Sequence, residues 1–248
     1  MVLACKMFDW TDQARFAYLS GDTNPIHMDA VAASRAGLGA PIVHGVHIVL
    51  WALEAIPLDE NLALSSLRAS FLAPIHVGET AVTTLKRRSA SAFRLDIAAE
   101  DTLAAVLMLN LPSDRRAPPA PSNRVHSADW PKFPIELGFE EMKTQAGVIR
   151  FAHRAERTAA AFPMVSRSIS PERVATMFAL SRLVGMICPG LPSILKSYTL
   201  DFTENAEDGV LRYATSDVNE HFRVVRLGLS GPGTIGEVAA VVRAAPMA

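Results

Sequence analysis

Residues 44–56 read "HGVHIVLWALEAI". On a helix, Ile48, Val49, Trp51, Ala52, Leu53 and Ile56 leave almost no polar face, so this helix must be wrapped by other structure. The wrapping follows directly. "ALSSLRASFL" (63–72), "TAVTTLKRR" (80–88), "AFRLDIAAE" (92–100) and "TLAAVLMLNL" (102–111) are β-rich runs spaced by about ten residues with short turns between them. One core helix and an antiparallel meander make an α+β unit.

The same order recurs in the second half. "SPERVATMFALSRLVGMI" (170–187) predicts a helix with Ser170 as cap and Pro171 at its first position, where proline's missing N–H costs nothing. "SILKSYTLDFT", "GVLRYATSD", "HFRVVRLGLS" and "GTIGEVAAVVR" then supply four strands. A slide of 131 positions lays Ser66 on Ser197, Phe71 on Phe202 and Gly78 on Gly209, and residues 44–56 on 175–187. This internal repeat is the strongest organisational signal in the chain. It predicts two α+β units whose sheets pair along an edge, which also removes an exposed edge strand.

Between the halves, residues 112–134, "PSDRRAPPAPSNRVHSADWPKFP", hold six of the sixteen prolines and oppose helix and sheet alike. They read as a linker, giving a first unit over 1–111 and a second over 135–248. Ahead of the core helix, "WTDQARFAYLS" (10–20) predicts a short helix with Thr11 as N-cap.

Composition narrows the classes of function. Twenty-four basic against twenty-five acidic side chains give a net charge of −1, so neither nucleic acid nor an anionic membrane is an expected partner. Cys5 and Cys188 stand far apart and outside any metal spacing, which suits a reducing compartment. The first residues lack the basic-then-apolar order of a signal peptide, and no apolar run approaches the ~20 residues that span a bilayer. The cytoplasm is the expected location.

Chemistry concentrates in "SGDTNPIHMD", residues 20–29. Asp22 and His27 would diverge by ~140° on a regular helix. Pro25 biases Asn24 toward an extended conformation, so the segment should turn back and let the two side chains converge. A carboxylate and an imidazole can together manage both protons of a hydration near pH 7. Taken alone, Asp and Asn also cap turns with no catalytic duty.

The longer stretch "FAYLSGDTNPIHMDAVAASRAGLGAPIVHG" (16–45) resembles the MaoC-like family of (R)-specific enoyl-CoA hydratases and dehydratases. The shared positions are Phe16, Ala17, Ser20, Gly21, Asp22, Asn24, Pro25, Ile26, His27, Asp29, Pro41, Ile42, His44 and Gly45. The second half follows the family in element order alone. The resemblance implies a double hot dog fold, no cofactor, and a thioester substrate carried by coenzyme A or acyl carrier protein. It further implies Asp22 and His27 as acid/base pair, Asn24 in the site, and the Gly45 N–H as oxyanion donor. A first-turn N–H is suited to an enolate-like transition state, and losing one comparable donor costs roughly 3–4 kcal/mol elsewhere. His44 and His47 are expected to lie near the substrate.

Other readings of these residues are weighed beside that one. His44 and His47 share a helix face, but no third ligand stands at a recognised spacing, so no metal is expected. Glu54 would be the carboxylate of a hot dog thioesterase, or simply a last-turn glutamate. In the second half His153 and Thr158 align with Asp22 and His27, so that copy reads as degenerate and free to open the acyl pocket, through Ala175, Ala179, Ser181 and Gly185. The family's fused type 2 hydratases show a similar pairing in reverse order. Arg150, Arg154, Arg157, Arg167, Arg173 and Arg182 read either as a solvated face paired with Glu156 and Glu172, or as a dock for the carrier's phosphates. A non-catalytic acyl-thioester binding module is the competing class. Further pairing into a homo-oligomer is compatible with all of these.

Overall fold

The computed structural model describes residues 1–56, 64–89, 91–111, 131–150, 155–203 and 209–244. The first half runs β1 (Val2–Met7), α1 (Trp10–Ser20), α2 (Pro25–Met28), α3 (Ala30–Arg35), α4 (Gly45–Glu54), β2 (Ser66–Phe71), β3 (Thr80–Arg88), β4 (Ala92–Ala99) and β5 (Thr102–Asn110). The second runs α5 (Phe139–Lys143), β6 (Ala146–Arg150), α6 (Ala155–Ala161), α7 (Pro163–Ser168), α8 (Pro171–Arg182), a π-helical turn (Leu183–Ile187), β7 (Ser193–Phe202), β8 (Val210–Asn219), β9 (Val224–Gly231) and β10 (Thr234–Val242). Most of the proline-rich stretch, 112–130, lies outside the described residues.

All ten strands join one antiparallel sheet in the order β1-β3-β4-β5-β2-β7-β10-β9-β8-β6. The order is a palindrome of the repeat, with β2 and β7 at its centre. Their register pairs Ser66 with Asp201, Arg68 with Thr199 and Ser70 with Ser197. Arg68 and Thr199 are separated by the repeat distance of 131, and Arg68 Nε donates to Thr199 Oγ1 at 3.3 Å. Equivalent residues therefore meet at the junction, as a local two-fold axis requires. This is a double hot dog: each half-sheet curls around its own helix.

Period-two patterning explains how the sheet faces that core. In β4, Phe93, Leu95, Ile97 and Ala99 are buried while the residues between them are half-buried. From α4, Val46, Ile48, Val49, Leu50, Ala52 and Leu53 are buried against it. In α8 every residue from Arg173 to Arg182 is buried, because α8 packs against α1 and α4 as well as the sheet. Two of those residues are arginines. Arg173 offsets its burial by donating to Leu64 O at 3.1 Å and by lying 4.7 Å over the Phe202 ring.

Three details depart from the sequence reading. The cap of α1 is Asp9, not Thr11: its side chain accepts the Asp12 N–H at 2.8 Å, and Asp12 returns the bond to the Asp9 N–H at 3.2 Å. The edge strands β1 and β6 were not legible. The offset between halves also changes along the chain: Met7 pairs with Thr80, and Ile149 pairs with Leu211, the counterpart of Thr80, so this part is offset by 142. The 131 offset that lays His153 and Thr158 on Asp22 and His27 therefore does not hold for these first strands, and His153 lies outside the described residues. Among the described residues no helix is long and apolar enough to cross a membrane.

Candidate active site

The segment that carries Asp22 and His27 starts where α1 stops. Gly21 closes α1 in the left-handed region at φ 71, a conformation glycine takes without penalty, and its N–H bonds to Ala17 O. Asp22 follows immediately. Asn24 then caps α2 by accepting the Ile26 N–H at 3.2 Å, with Pro25 at the first helical position. Pro25 therefore starts a single turn of helix here, and does not merely block one. That turn carries His27 back over Asp22.

Both side chains are almost fully buried, Asp22 at 2% and His27 at 8% exposure. His27 Nδ1 lies 2.8 Å from Ile42 O, and a carbonyl only accepts, so Nδ1 carries the proton. None of the hydrogen bonds of the described residues uses Nε2, which is left bare in the neutral ring. Gln13 fixes this arrangement from α1 by donating to both His27 O and Ile42 O, at 3.0 and 2.9 Å.

Burial moves the two groups toward each other. It raises the Asp22 carboxyl above its usual range against the opposing charges of His27 and Arg182 and the bonds from Ser181 and Asn24. It lowers the His27 imidazole, opposed by the Asp22 charge and the Ile42 carbonyl. A proton passes between such groups at less cost than between a free carboxylate and a free imidazole.

The pair closes one end of a cavity of about 340 Å³. Its walls are mostly apolar, including Ile26, Ile42, Ile48, Phe71, Ile75 and Leu195, and its polar lining also includes Asn24, Ser181, Ser193 and Lys196. Gly45 lines it at the first position of α4, where the N–H has no partner within the helix and His44 supplies no side-chain cap. A Cβ at Gly45 would stand 3.0 Å from the Phe71 ring and 3.1 Å from Leu195. Glycine lets strand and helix close on this corner.

Comparison with known proteins bears on the first half. Residues 8–105 match the family described as MaoC like domain. This half of the chain is similar to that domain. Among curated relatives, 3-hydroxyacyl-thioester dehydratase Y of Mycobacterium tuberculosis is 35% identical over 106 residues, covering 40% of this chain and 37% of its own. Enoyl-CoA hydratase 2, peroxisomal, of Arabidopsis thaliana is 33% identical over 85 residues, covering 33% and 28%. The chain thus spans little more than a third of the first relative and less than a third of the second. A solved structure titled MaoC-like dehydratase superposes with a TM-score of 0.60 over 96% of this chain and 95% of its own, at 12% identity. That likeness is one of fold, and it extends across both repeats.

Within this fold the expected site residues are redistributed. Asp22, Asn24, His27 and Gly45 meet at the cavity. His44 and His47 are not among the residues that line it. His44 turns away, donating from Nε2 to Asp22 O at 3.0 Å while its ring stacks on His27 at 3.8 Å. His47 stacks flat on Phe16 at 4.9 Å, with edge contacts to Phe8 and Phe162, and burial pushes its pKa down to about 3. Asn24 reaches the cavity, yet its amide donates to Gly185 O at 2.8 Å, so it ties the segment down.

Asp22, His27 and His44 offer ligand atoms within 4.8 Å of one another. Most of these atoms are committed elsewhere: His27 Nδ1 and His44 Nε2 donate to carbonyls, and the Asp22 oxygens accept from Asn24 and Ser181. Glu54 accepts the Val165 N–H in the first turn of α7 and is outside the cavity lining, so it braces two helices and offers no thioesterase carboxylate. The arginines form no single face: Arg173 and Arg182 are buried, Arg157 lies over the Tyr18 ring, and Arg150 and Arg167 are exposed on separate elements. Arg154 and His153 lie outside the described residues.

What sequence reasoning missed is the second repeat's share of this site. Ser181 Oγ donates to Asp22 Oδ2 at 2.7 Å, and Gly185 sits against the same carboxylate. Both had been read only as small residues leaving space for an acyl chain. Ala175 and Ala179, read the same way, do not reach the cavity. The missing signal is geometric, since no spacing along the chain brings residue 181 to residue 22.

Proposed function

We propose that the chain adds water reversibly to a 2-enoyl thioester, giving the (R)-3-hydroxyacyl thioester, with coenzyme A or acyl carrier protein as carrier. The observation that carries this reading is the convergence of Asp22, His27 and the Gly45 N–H at one end of an apolar cavity. An acyl chain fits the walls, and the thioester carbonyl fits the helix N-terminus.

In the hydration direction the water oxygen bonds to Cβ as one member of the pair takes its proton, and the other member delivers a proton to Cα. Bare His27 Nε2 suits the acceptor, and the raised Asp22 carboxyl suits the donor. Negative charge built on the thioester oxygen meets the Gly45 N–H and the positive end of the α4 dipole. The reverse sequence eliminates water. The domain boundaries belong to the same proposal: residues 1–111 carry the acid/base pair, and 135–248 form a second, degenerate unit with no such pair among its described residues. A reducing compartment such as the cytoplasm suits the unpaired Cys5 and Cys188.

The test is loss of the conjugated-thioester absorbance with crotonyl-CoA and a medium-chain enoyl-CoA, followed by product stereochemistry. Turnover to the (R) product by wild type, reduced at least a hundredfold in His27→Ala, is the expected result. Absence of turnover on CoA and carrier-protein thioesters alike, with binding retained, would instead make the chain an acyl-thioester binding module.

A further inference from the structure

The segment that carries Asp22 and His27 is docked on the second repeat. Asn24 donates to Gly185 O at 2.8 Å, the Thr23 N–H approaches Met186 Sδ at 3.3 Å, and Ser181 Oγ lies 2.7 Å from Asp22 Oδ2. We infer that Ser181 is a positioning residue for Asp22, whose hydroxyl orients the carboxyl group from across the repeats, so that the reaction centre exists only where the two repeats meet. Its catalytic consequence rests on the hydratase reading; the coupling between the two side chains does not.

Geometry singles out this contact. The two oxygens of Asp22 accept different bonds: Oδ1 takes the Asn24 N–H at 3.2 Å from its own segment, and Oδ2 takes Ser181 across the repeats at 2.7 Å. A carboxylate only accepts, so the serine proton points at Oδ2, at the length of a charge-assisted bond. Serine and threonine within a helix ordinarily bond back to a carbonyl one turn earlier, as Thr176 does to Glu172 O at 2.9 Å. Ser181 forgoes that bond and reaches across.

The backbone around Ser181 is shaped for the same carboxylate. Any Cβ at Gly185 would lie 2.2 Å from Asp22 Oδ1, so a residue other than glycine would displace Asp22. Directly after α8, the helix widens to a π turn over Leu183–Ile187, which carries Gly185 O to the Asn24 amide. Such turns frequently mark functional positions.

The charged and titratable groups facing this centre come from four elements. His27 comes from α2, His44 bonds the Asp22 carbonyl from the cap of α4, Arg182 follows Ser181 at the end of α8, and Arg243 acts on His27 from beyond β10. Arg182 favours the carboxylate by its charge, whereas Ser181 gives it a direct side-chain hydrogen bond.

The experiment is a pH titration of protein labelled with ¹³C at the aspartate carboxyl, with the Asp22 resonance assigned through Asp22→Asn. Ser181→Ala should raise the Asp22 midpoint by about one pH unit or more, the equivalent of a hydrogen bond to a charged group. Ser181→Cys, close in shape and weaker as a donor, should fall between, and serves alone if the alanine variant does not fold. On an enoyl thioester, kcat should drop about tenfold or more with KM within about threefold, and Ser181→Thr should recover both.

An unchanged midpoint overturns the inference, even where melting temperature or rate declines, because packing alone would then explain the loss. If wild type hydrates no thioester and the midpoint still moves, the hydratase reading falls and the Ser181–Asp22 coupling stands. Hydration with a fixed midpoint is the converse.

Discussion

His27 shows how one backbone contact selects a chemical role. Its Nδ1 proton is committed to Ile42 O at 2.8 Å, so Nε2 is a base whenever the ring is neutral. Burial favours that neutral form and lowers the pKa from 6.5, while the charge on Asp22 pulls it back up. Acidification protonates the base, so activity declines as pH falls through its midpoint. The acid limb of kcat/KM for an enoyl thioester should therefore centre below 6.5. Since the pair is coupled, that midpoint belongs to Asp22 and His27 together. A limb centred at or above 6.5 would mean that the ring is not desolvated as the structure has it.

At the scale of elements, much was written in the chain and some was not. The helix 44–56 and the runs 80–88, 92–100 and 102–111 appear within a residue or two as α4, β3, β4 and β5, since each buries one face and repeats with its own period. β1 and β6 were missed because they are edge strands whose side chains are mostly exposed or half-buried, leaving no alternation to read. The motif gave Asp22, Asn24, His27 and Gly45 because they lie within one short stretch. It could not give Ser181 or Gly185, which arrive through the packing of α8. The same limit applies to the cavity proposed to take the acyl chain. It extends along Ser193, Ile194 and Val241 of β7 and β10, not along the alanines of α8. Val241→Phe should thus cut kcat/KM for a medium-chain enoyl thioester by about tenfold while leaving the four-carbon substrate within about twofold, as a filled hydrophobic subsite implies. Equal loss on both substrates would show that the chain runs elsewhere.

The whole molecule stores three neutral histidines, His27, His44 and His47, in one buried cluster around α1 and α4. Burial is the leading cause of a lowered pKa for each of them. The unfolded chain binds protons on these rings from about pH 6.5 downward while the folded chain refuses them, so stability is full above that pH and lost below it. Asp22 runs the other way, because its raised carboxyl makes the folded state bind a proton before the unfolded one does, as pH falls toward 3.8 from above. His47 isolates the effect, since it touches neither cavity nor catalytic pair, its pKa is pushed to about 3, and its Nδ1 is buried without a hydrogen-bond partner. Wild type should lose about 2 kcal/mol to this one ring between pH 7 and pH 5, at 1.36 kcal/mol per pH unit below the unfolded pKa. His47→Leu should flatten the fall by that amount in urea unfolding at the two pH values. A slope unchanged by the substitution would place the proton uptake on other groups. A flattened slope would show that the apolar packing holding α1 against α4 is also what makes this fold sensitive to acid.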